Sequence, residues 1–408
     1  MNDAHDVSVP TGPLEGMRIL DLTSLVMGPY ATQTLGDLGA EVIKVEPPAG
    51  DGMRAVGPMR NPGMGAMAMH LNRNKRSVVL DLKQPDGREA CLRLAAGSDA
   101  LIYNTRPHAM VRLGLDYPAV AAVNQRIVYI GVFGYGEDGP YAGKPAYDDL
   151  IQAAVGIPTL YAQQGADSPR YAPVTLADRV VGLHAAIALI SAVLHARRTG
   201  RGQAVEVPMF EAMAQLVMGD HLGGKTFEPP LGPTGYARLL AADRRPYATA
   251  DGYLAVLVYN DKQWRTFFDL IGRPELHQTE MFRSQTARAA NIEAVYAFLA
   301  DVLATRTSDD WLALLGGSDI PVTKLHTIDS LVDDPHLRKV GFYPEFDHPT
   351  EGRIRTPAPV GRYAATPLAI RRPVPRIGEH SVDVLREAGY SEVEIDRLLE
   401  RRVTKQAE

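Results

Sequence analysis

The stretch MRILDLTSLVMGPYATQTLGDLGAEVIKVE, residues 17 to 46, sets two short apolar runs on either side of a turn and an amphipathic segment. MRILDL (17–22) reads as a strand, YATQTLGDLG (30–39) as a helix and AEVIKVE (40–46) as a second strand. A strand, a helix and another strand in succession make a βαβ unit, and such units build parallel sheets with helices packed on them. The alternation continues outward. PDGREACLRLAAGSDA reads as a helix from Asp86, ALIYN (100–104) as a strand, DYPAVAAVNQ as a helix and RIVYIGVF (126–133) as a strand. A long helix begins near Asp178 and ends at RRTGRGQ, where Gly200 and Gly202 supply a turn, and AVEVPM (204–209) is the next strand.

Near residue 220 the character changes. The segment from His221 to Gly252 is rich in Gly and Pro and reads as an irregular connection. Beyond it YLAVLVYN reads as a strand and KQWRTFFDLIG as a helix, with more helices to about residue 318, which indicates a second, smaller domain. Short strands and turns follow, then a tail helix in SEVEIDRLLERR.

Composition narrows the function classes. The chain has 408 residues, 45% hydrophobic and 22% charged, as in ordinary soluble proteins. A net charge of −5 gives no electrostatic case for nucleic acid or membrane partners. The lone cysteine, Cys91, excludes an intramolecular disulfide and a cysteine-based metal site. The N-terminus lacks the basic-then-apolar order of a signal peptide, and the apolar runs read as too short to span a membrane. A cytoplasmic location is expected. GYGEDG (134–139) fits the dinucleotide pattern G-x-G-x-x-G but leads into Pro140 and a loop, and its two acids would repel a pyrophosphate. His184 and His195 read as packing partners rather than metal ligands.

One aspartate stands out. ADRVVGLHAAIALISAVLH (177–195) places Asp178 at the head of a long apolar helix. Asp178 reads either as an N-cap, worth about 1 kcal/mol, or as a nucleophile. Val181 occupies the position where a capping box needs Glu or Gln. Gly182 lies one turn up on the same face. Glycine costs about 1 kcal/mol against alanine inside a helix, so the space it leaves is expected to serve a ligand. The helix dipole is expected to keep the carboxylate ionised.

Eight segments together carry a resemblance: P-L-E-G-M-R-I-L-D-L at 13–22, M-G-P-Y-A at 27–31, L-G-A-E-V-I-K-V-E-P-P at 38–48, N-K-R-S-V-V-L-D-L-K at 74–83, D-x-x-x-G at 178–182, T-G-R-G-Q at 199–203, D-P-H-L at 334–337 and P-R-I-G-E-H at 375–380. In this order, from about residue 13 to 400, they resemble class III CoA-transferases of the CaiB/BaiF family. The resemblance implies a Rossmann-like large domain with a parallel sheet, a smaller α+β domain, and an interlocked homodimer. The expected division is a large CoA-binding domain over 1–220, a small domain over 225–325 and a return to the large domain over 326–408.

The resemblance also implies a reaction. Asp178 is expected to attack an acyl-CoA, forming an acyl–aspartyl mixed anhydride and then an aspartyl-CoA thioester that a carboxylic acid takes over. CoA enters as substrate, and no permanent cofactor or metal is implied. CoA-contacting positions fall on Val26, Met27, Leu80, Lys83, Asn104, Thr105, Arg112 and Leu113. Lys83 and Arg112 suit a ligand bearing phosphates. The chain departs from oxalate- and formate-handling members in having Val26 where they carry glutamine, and in lacking their glycine-rich loop. It also has Ala146, Tyr147 and Asp148 where the racemase branch has Gly-His-Asp. Tyr147 and Asp148 remain catalytic candidates for an α-methylacyl-CoA racemase-like epimerase, which needs two acid/base groups. A CoA-binding protein without catalysis is the third reading.

Overall fold

A computed structural model of the chain describes residues 12–407. The chain groups into two compact units. The larger comprises the N-terminal segment up to Val155, Ala172–Gln215 and the C-terminal segment from Leu337. The smaller comprises Gly156–Tyr171 and Leu216–His336. The expected boundaries at 225 and 325 therefore shift, and the excursion 156–171 belongs with the smaller unit.

The larger unit is built on six parallel strands: β1 (Arg18–Leu22), β2 (Glu41–Glu46), β3 (Lys75–Val79), β4 (Ala100–Tyr103), β5 (Val128–Phe133) and β6 (Gln203–Pro208). Their order across the sheet is β3-β2-β1-β4-β5-β6, with Leu20 level with Ile43 on one side and Leu101 on the other. Strands β1 to β5 are buried because helices cover both faces of the sheet, while β6 at the edge is mostly exposed. On one face lie α1 (Met27–Asp37) and α8 (Leu176–Thr199), packed on each other, with α8 also against β5 and β6. On the other lie α3 (Pro85–Ala96), α4 (Pro107–Leu113), α5 (Tyr117–Val123), α17 (Ser381–Glu387) and α18 (Glu392–Glu400), which bury Leu20, Ile43, Leu101 and Val384 in one core. The C-terminus thus returns to cover the β3 side. Short helices α2 (Ala66–Met69) and α6 (Asp148–Ala154) and a hairpin of β10 (Glu345–His348) and β11 (Gly352–Arg355) complete this unit.

The smaller unit is α+β. Strands β7 (Tyr247–Ala248), β8 (Tyr253–Val256) and β9 (Val322–Lys324) form an antiparallel sheet. With it go α7 (Ile157–Gln163), α10 (Ala237–Leu240), α11 (Asp261–Leu270), α12 (Gln285–Ala290), α13 (Ile292–Leu303), α14 (Ser308–Leu315) and α15 (Ile328–Val332). Helices α9 (Met209–His221) and α16 (Pro335–Lys339) carry the chain between the units. Helix α11 starts at a capping box in which Asn260 accepts from Gln263 N at 2.9 Å, and it buries Trp264, Phe267 and Phe268. These rings stack with Phe282 and Trp311 into the unit's core.

Helix α8 corrects an expectation. It is the one helix among the described residues long and apolar enough to cross a membrane, because its charges sit only at its ends. Its buried side is a core face, packed on α1 and the sheet. His184 and His195 are exposed on it rather than packed.

Candidate active site

The strand order reverses between β1 and β4, and ligands of open α/β sheets lie at that point, beyond the carboxyl ends of the strands. Here two loops meet. Asn104, the first residue past β4, accepts from Ser24 N at 3.0 Å and donates to Ser24 O at 2.7 Å, so its side chain locks the loop after β1 to the loop after β4. A cleft of about 440 Å³ opens beside them. Val26 and Met27 line it at the start of α1, Asn104, Thr105 and Arg112 beyond β4, and Tyr147 and Asp178 from the long-helix side.

Asp178 is not a cap. Helix α8 starts at Leu176 with Thr175 as its N-cap, and no side chain caps it there. Asp178 lies in the first turn, and its own backbone N–H donates to Asp148 Oδ1 at 2.9 Å. Asp148 in turn accepts from Gln152 Nε2 at 2.6 Å, and the fully buried Gln152 accepts from Ala172 N at 2.9 Å. This clamp ties α6 to the segment that leads into α8 and frees the Asp178 carboxylate for the cleft.

The electrostatics differ from the sequence reading. Burial first, and the Asp148 charge second, raise the Asp178 carboxyl to about 7, against the pull of Arg179. Desolvation and a like charge outweigh the 0.3–1 kcal/mol or so that a helix dipole offers. Arg179 itself stacks on the Tyr30 ring, 4.4 Å from its centroid.

Gly182 is explained by packing. A Cβ there would stand 2.8 Å from Met27 O and 3.1 Å from Tyr30 Cδ1, so the glycine lets α1 and α8 approach; it leaves no space for a ligand. Gly182→Ala is therefore expected to destabilise the protein by about 1–3 kcal/mol despite alanine's better helix propensity. A urea melt showing the variant more stable than wild type would contradict this.

Lys83, Arg112 and Leu113 line a second groove of about 470 Å³ that shares Ala109 and Arg112 with the cleft. Arg88 joins them there, a cation that the sequence reading passed over. Leu80 is different: it is 1% exposed and packs in the core, so its side chain cannot reach a ligand. The sequence reading also missed Arg106, His108, Glu137 and Lys144, which all line the cleft. The run Asn104-Thr105-Arg106 directly after a strand was the available signal for the first. Lys144 sits in a loop without periodicity, its ammonium 4.1 Å from the centre of the Tyr141 ring. GYGEDG forms the loop after β5, where Gly134 lines the cleft and Gly136 N donates to Glu211 Oε1 at 2.9 Å.

Comparison with known proteins places this geometry. Residues 14–381 match CoA-transferase family III. The chain is 30% identical over 400 residues to human succinyl-CoA:glutarate CoA-transferase, covering 97% of this chain and 91% of that protein. It is 33% identical over 392 residues to a probable fatty acyl-CoA transferase of Mycobacterium tuberculosis, covering 92% and 98% of the two. A solved CaiB/BaiF family protein from Brucella suis superposes with a TM-score of 0.78 at 31% identity, over 93% of this chain and all of that one. A cleft at the sheet's switch point with an aspartate at its wall, in a chain matched end to end by such relatives, settles the enzyme class: the chain belongs to the family III CoA-transferases.

Proposed function

We propose that the chain transfers CoA from an acyl-CoA to a carboxylic acid through covalent adducts of Asp178. A carboxylate oxygen of Asp178 attacks the thioester carbonyl, the C–S bond breaks, and CoA leaves as thiolate. The thiolate then attacks the Asp178 carbonyl of the mixed anhydride, releasing the first acid and leaving an aspartyl-CoA thioester. The acceptor carboxylate attacks that thioester to form a new anhydride, and the thiolate returns to the acceptor's carbonyl. Each step exchanges one anionic nucleophile for one anionic leaving group, so no proton has to move.

The observation that carries this reading is the half-buried Asp178 on the cleft wall beside Asp148. A carboxylate raised to about 7 is a stronger nucleophile than an ordinary one. Its adducts are neutral, so the burial and repulsion that disfavour the anion favour the covalent state. Lys83, Arg88 and Arg112 suit the phosphates of CoA, and the thioester end would lie along Val26 and Met27. The relatives' names join succinyl-CoA with glutarate in one case and fatty acyl-CoA in another, and both support an acyl-CoA donor. The test is a screen of acyl-CoA donors with hydroxylamine present. It should convert Asp178 to a hydroxamate, seen by mass on its peptide, and no adduct with any donor that turns over would remove the mechanism.

The pH dependence follows from the site. kcat/KM is expected to rise with pH through about 7, as the Asp178 carboxyl loses its proton. Asp148→Asn removes the second cause and should move that inflection to lower pH, while burial keeps it above the ordinary carboxyl value. A profile unmoved by this variant would show that Asp148 does not set Asp178's basicity.

We further propose a homodimer of interlocked chains. Leu183, Ile187 and Leu194 form an apolar stripe on α8, exposed by 43%, 64% and 58%, which a second chain would cover. Interlocked chains cannot part without unfolding, so sedimentation showing a folded monomer at nanomolar concentration would remove this assembly.

A further inference from the structure

Leu25 is one of three non-glycine residues among those described with positive φ, at +67°, and it lines the cleft. The left-handed region is disfavoured for a branched side chain by the clash of its Cβ with the backbone, so the surroundings must hold it there. They do so from below the loop. Asp51 Oδ1 accepts from Leu25 N at 3.1 Å and from Met53 N at 3.0 Å. Lys44 Nζ donates to Asp51 Oδ2 at 2.9 Å and to Thr23 O at 2.9 Å. Asp51 N is anchored in turn on Glu46 Oε2 at 3.1 Å. The side chains of Lys44 and Asp51 are 0% and 1% exposed, and neither lines the cleft.

We propose that the buried Lys44–Asp51 pair is a positioning device for the transfer: it locks the Thr23–Val26 loop in the shape that faces Asp178 across the cleft. A buried ion pair adds little stability over apolar residues of the same volume. Stability therefore does not account for this pair. Its hydrogen-bonding atoms are used on the loop: Lys44 holds the carbonyl of Thr23, and Asp51 holds the amide of Leu25. Asn104 fixes Ser24 between them. Every residue from Thr23 to Leu25 thus has a backbone group bonded to a side chain from another element. The turn of α1 that follows presents Val26 and Met27 to the substrate. The Lys44 charge is secure: burial opposes it, but Asp21, Asp51 and Glu46 raise its proton affinity above the ordinary lysine value.

The inference rests on the cleft being the site of transfer, so its test has one readout that needs no turnover. In Lys44→Met/Asp51→Leu, amide exchange in the peptide covering Thr23–Gly28 should quicken at least about tenfold, with β1 and β4 unchanged. In the same protein kcat should fall about a hundredfold while KM for acyl-CoA stays within about threefold, because the basic groove is untouched. If this variant does not fold, Asp51→Asn carries the test. Asparagine keeps one oxygen, but its NH2 must then face either Leu25 N or the Lys44 ammonium, donor against donor, so one of the two bonds is lost in either orientation. Exchange in that peptide should rise at least about threefold and kcat should drop. A loosened loop with wild-type kcat, or a loop that exchanges as in wild type in either variant, overturns the proposal. Absence of a trapped adduct in wild type would instead remove the transfer reading and leave the exchange result standing.

Discussion

Asp178→Asn should abolish turnover, by at least about ten-thousand-fold, and at the same time make the protein more stable at pH 8. The first effect follows from chemistry: an amide oxygen cannot form the anhydride, and loss of a covalent nucleophile costs factors of this order. The second follows from linkage. The carboxyl sits at about 7 in the folded protein, against an ordinary value of 3.8. A group whose folded pKa is raised contributes stability that is complete below its unfolded pKa and is lost as pH rises through the folded one. Between about pH 4 and pH 7 wild type thus loses on the order of 4 kcal/mol at this residue. Asparagine carries no charge and loses nothing over that range. It forfeits only the favourable helix-dipole interaction, roughly 0.3–1 kcal/mol. The melting temperatures of the two proteins should therefore coincide near pH 4 and separate by several degrees at pH 8, with the inactive protein the higher. CoA binding should persist, since the groove cations are intact. An active variant, or one less stable than wild type at pH 8, would count against a strained nucleophile.

The sequence singles out Asp178 but misreads what surrounds it. Its position before an apolar helix was visible, and so was the unusual Gly182. The capping reading failed because the helix starts two residues earlier, at Leu176, and because the cap-like bond runs the other way, from Asp178 N to Asp148. The ligand-space reading of Gly182 failed because only a tertiary neighbour, the Met27 carbonyl on α1, explains the glycine. Periodicity along one helix carries no information about what crosses it. The fold was more legible. Strands β1, β2, β4 and β5 carry short runs of Val, Ile, Leu and Tyr buried against helices, and each was recognisable from residue type. Strand β6, Gln-Ala-Val-Glu-Val-Pro, is mostly exposed and was recognisable from its β-branched residues alone.

Strand β3 shows the limit of such patterns. Its sequence is Lys-Arg-Ser-Val-Val, which resembles a surface segment, yet all five residues are buried. They are buried because each polar side chain finds a partner from another part of the chain. Lys75 bonds Asp21, Arg76 bonds Glu41 and Glu387, and Ser77 bonds Glu46. Long-range pairing of this kind has no local signature. The cleft residue Lys144 was missed for a related reason: unlike Arg106, whose run Asn104-Thr105-Arg106 directly follows a strand end, it sits in a loop with no neighbouring pattern to tell that it will face a cavity.

The Lys75 pairing also supports a quantitative expectation. Lys75 Nζ, with no exposure, donates to Asp21 Oδ2 at 3.1 Å, Thr32 Oγ1 at 2.7 Å, Pro29 O at 3.0 Å and Asn72 Oδ1 at 3.0 Å. It joins β1, β3 and the first turn of α1. Burial alone would raise the Asp21 carboxyl, but Lys75, Lys44 and the hydroxyls of Thr23 and Thr32 hold it below its ordinary value. Lys75→Met keeps the volume and leaves Asp21 buried without its nearest cation, which should cost about 3–5 kcal/mol in a urea melt at pH 7. The sign of the pH dependence is fixed. Asp21's lowered pKa contributes stability above about pH 4 that is lost in acid, and the variant lacks that contribution. Burial holds the Lys75 ammonium down to about 8, so the comparison is made below that pH. The gap between variant and wild type should be wide at neutral pH and narrow as the pH falls below about 4. Replacing both partners, in Asp21→Leu/Lys75→Met, should return most of the loss, because the penalty belongs to the unpaired charge and not to the missing ion pair. A single variant as stable as wild type, or a double variant worse than the single, would show that the β3 edge is held by something other than this pair.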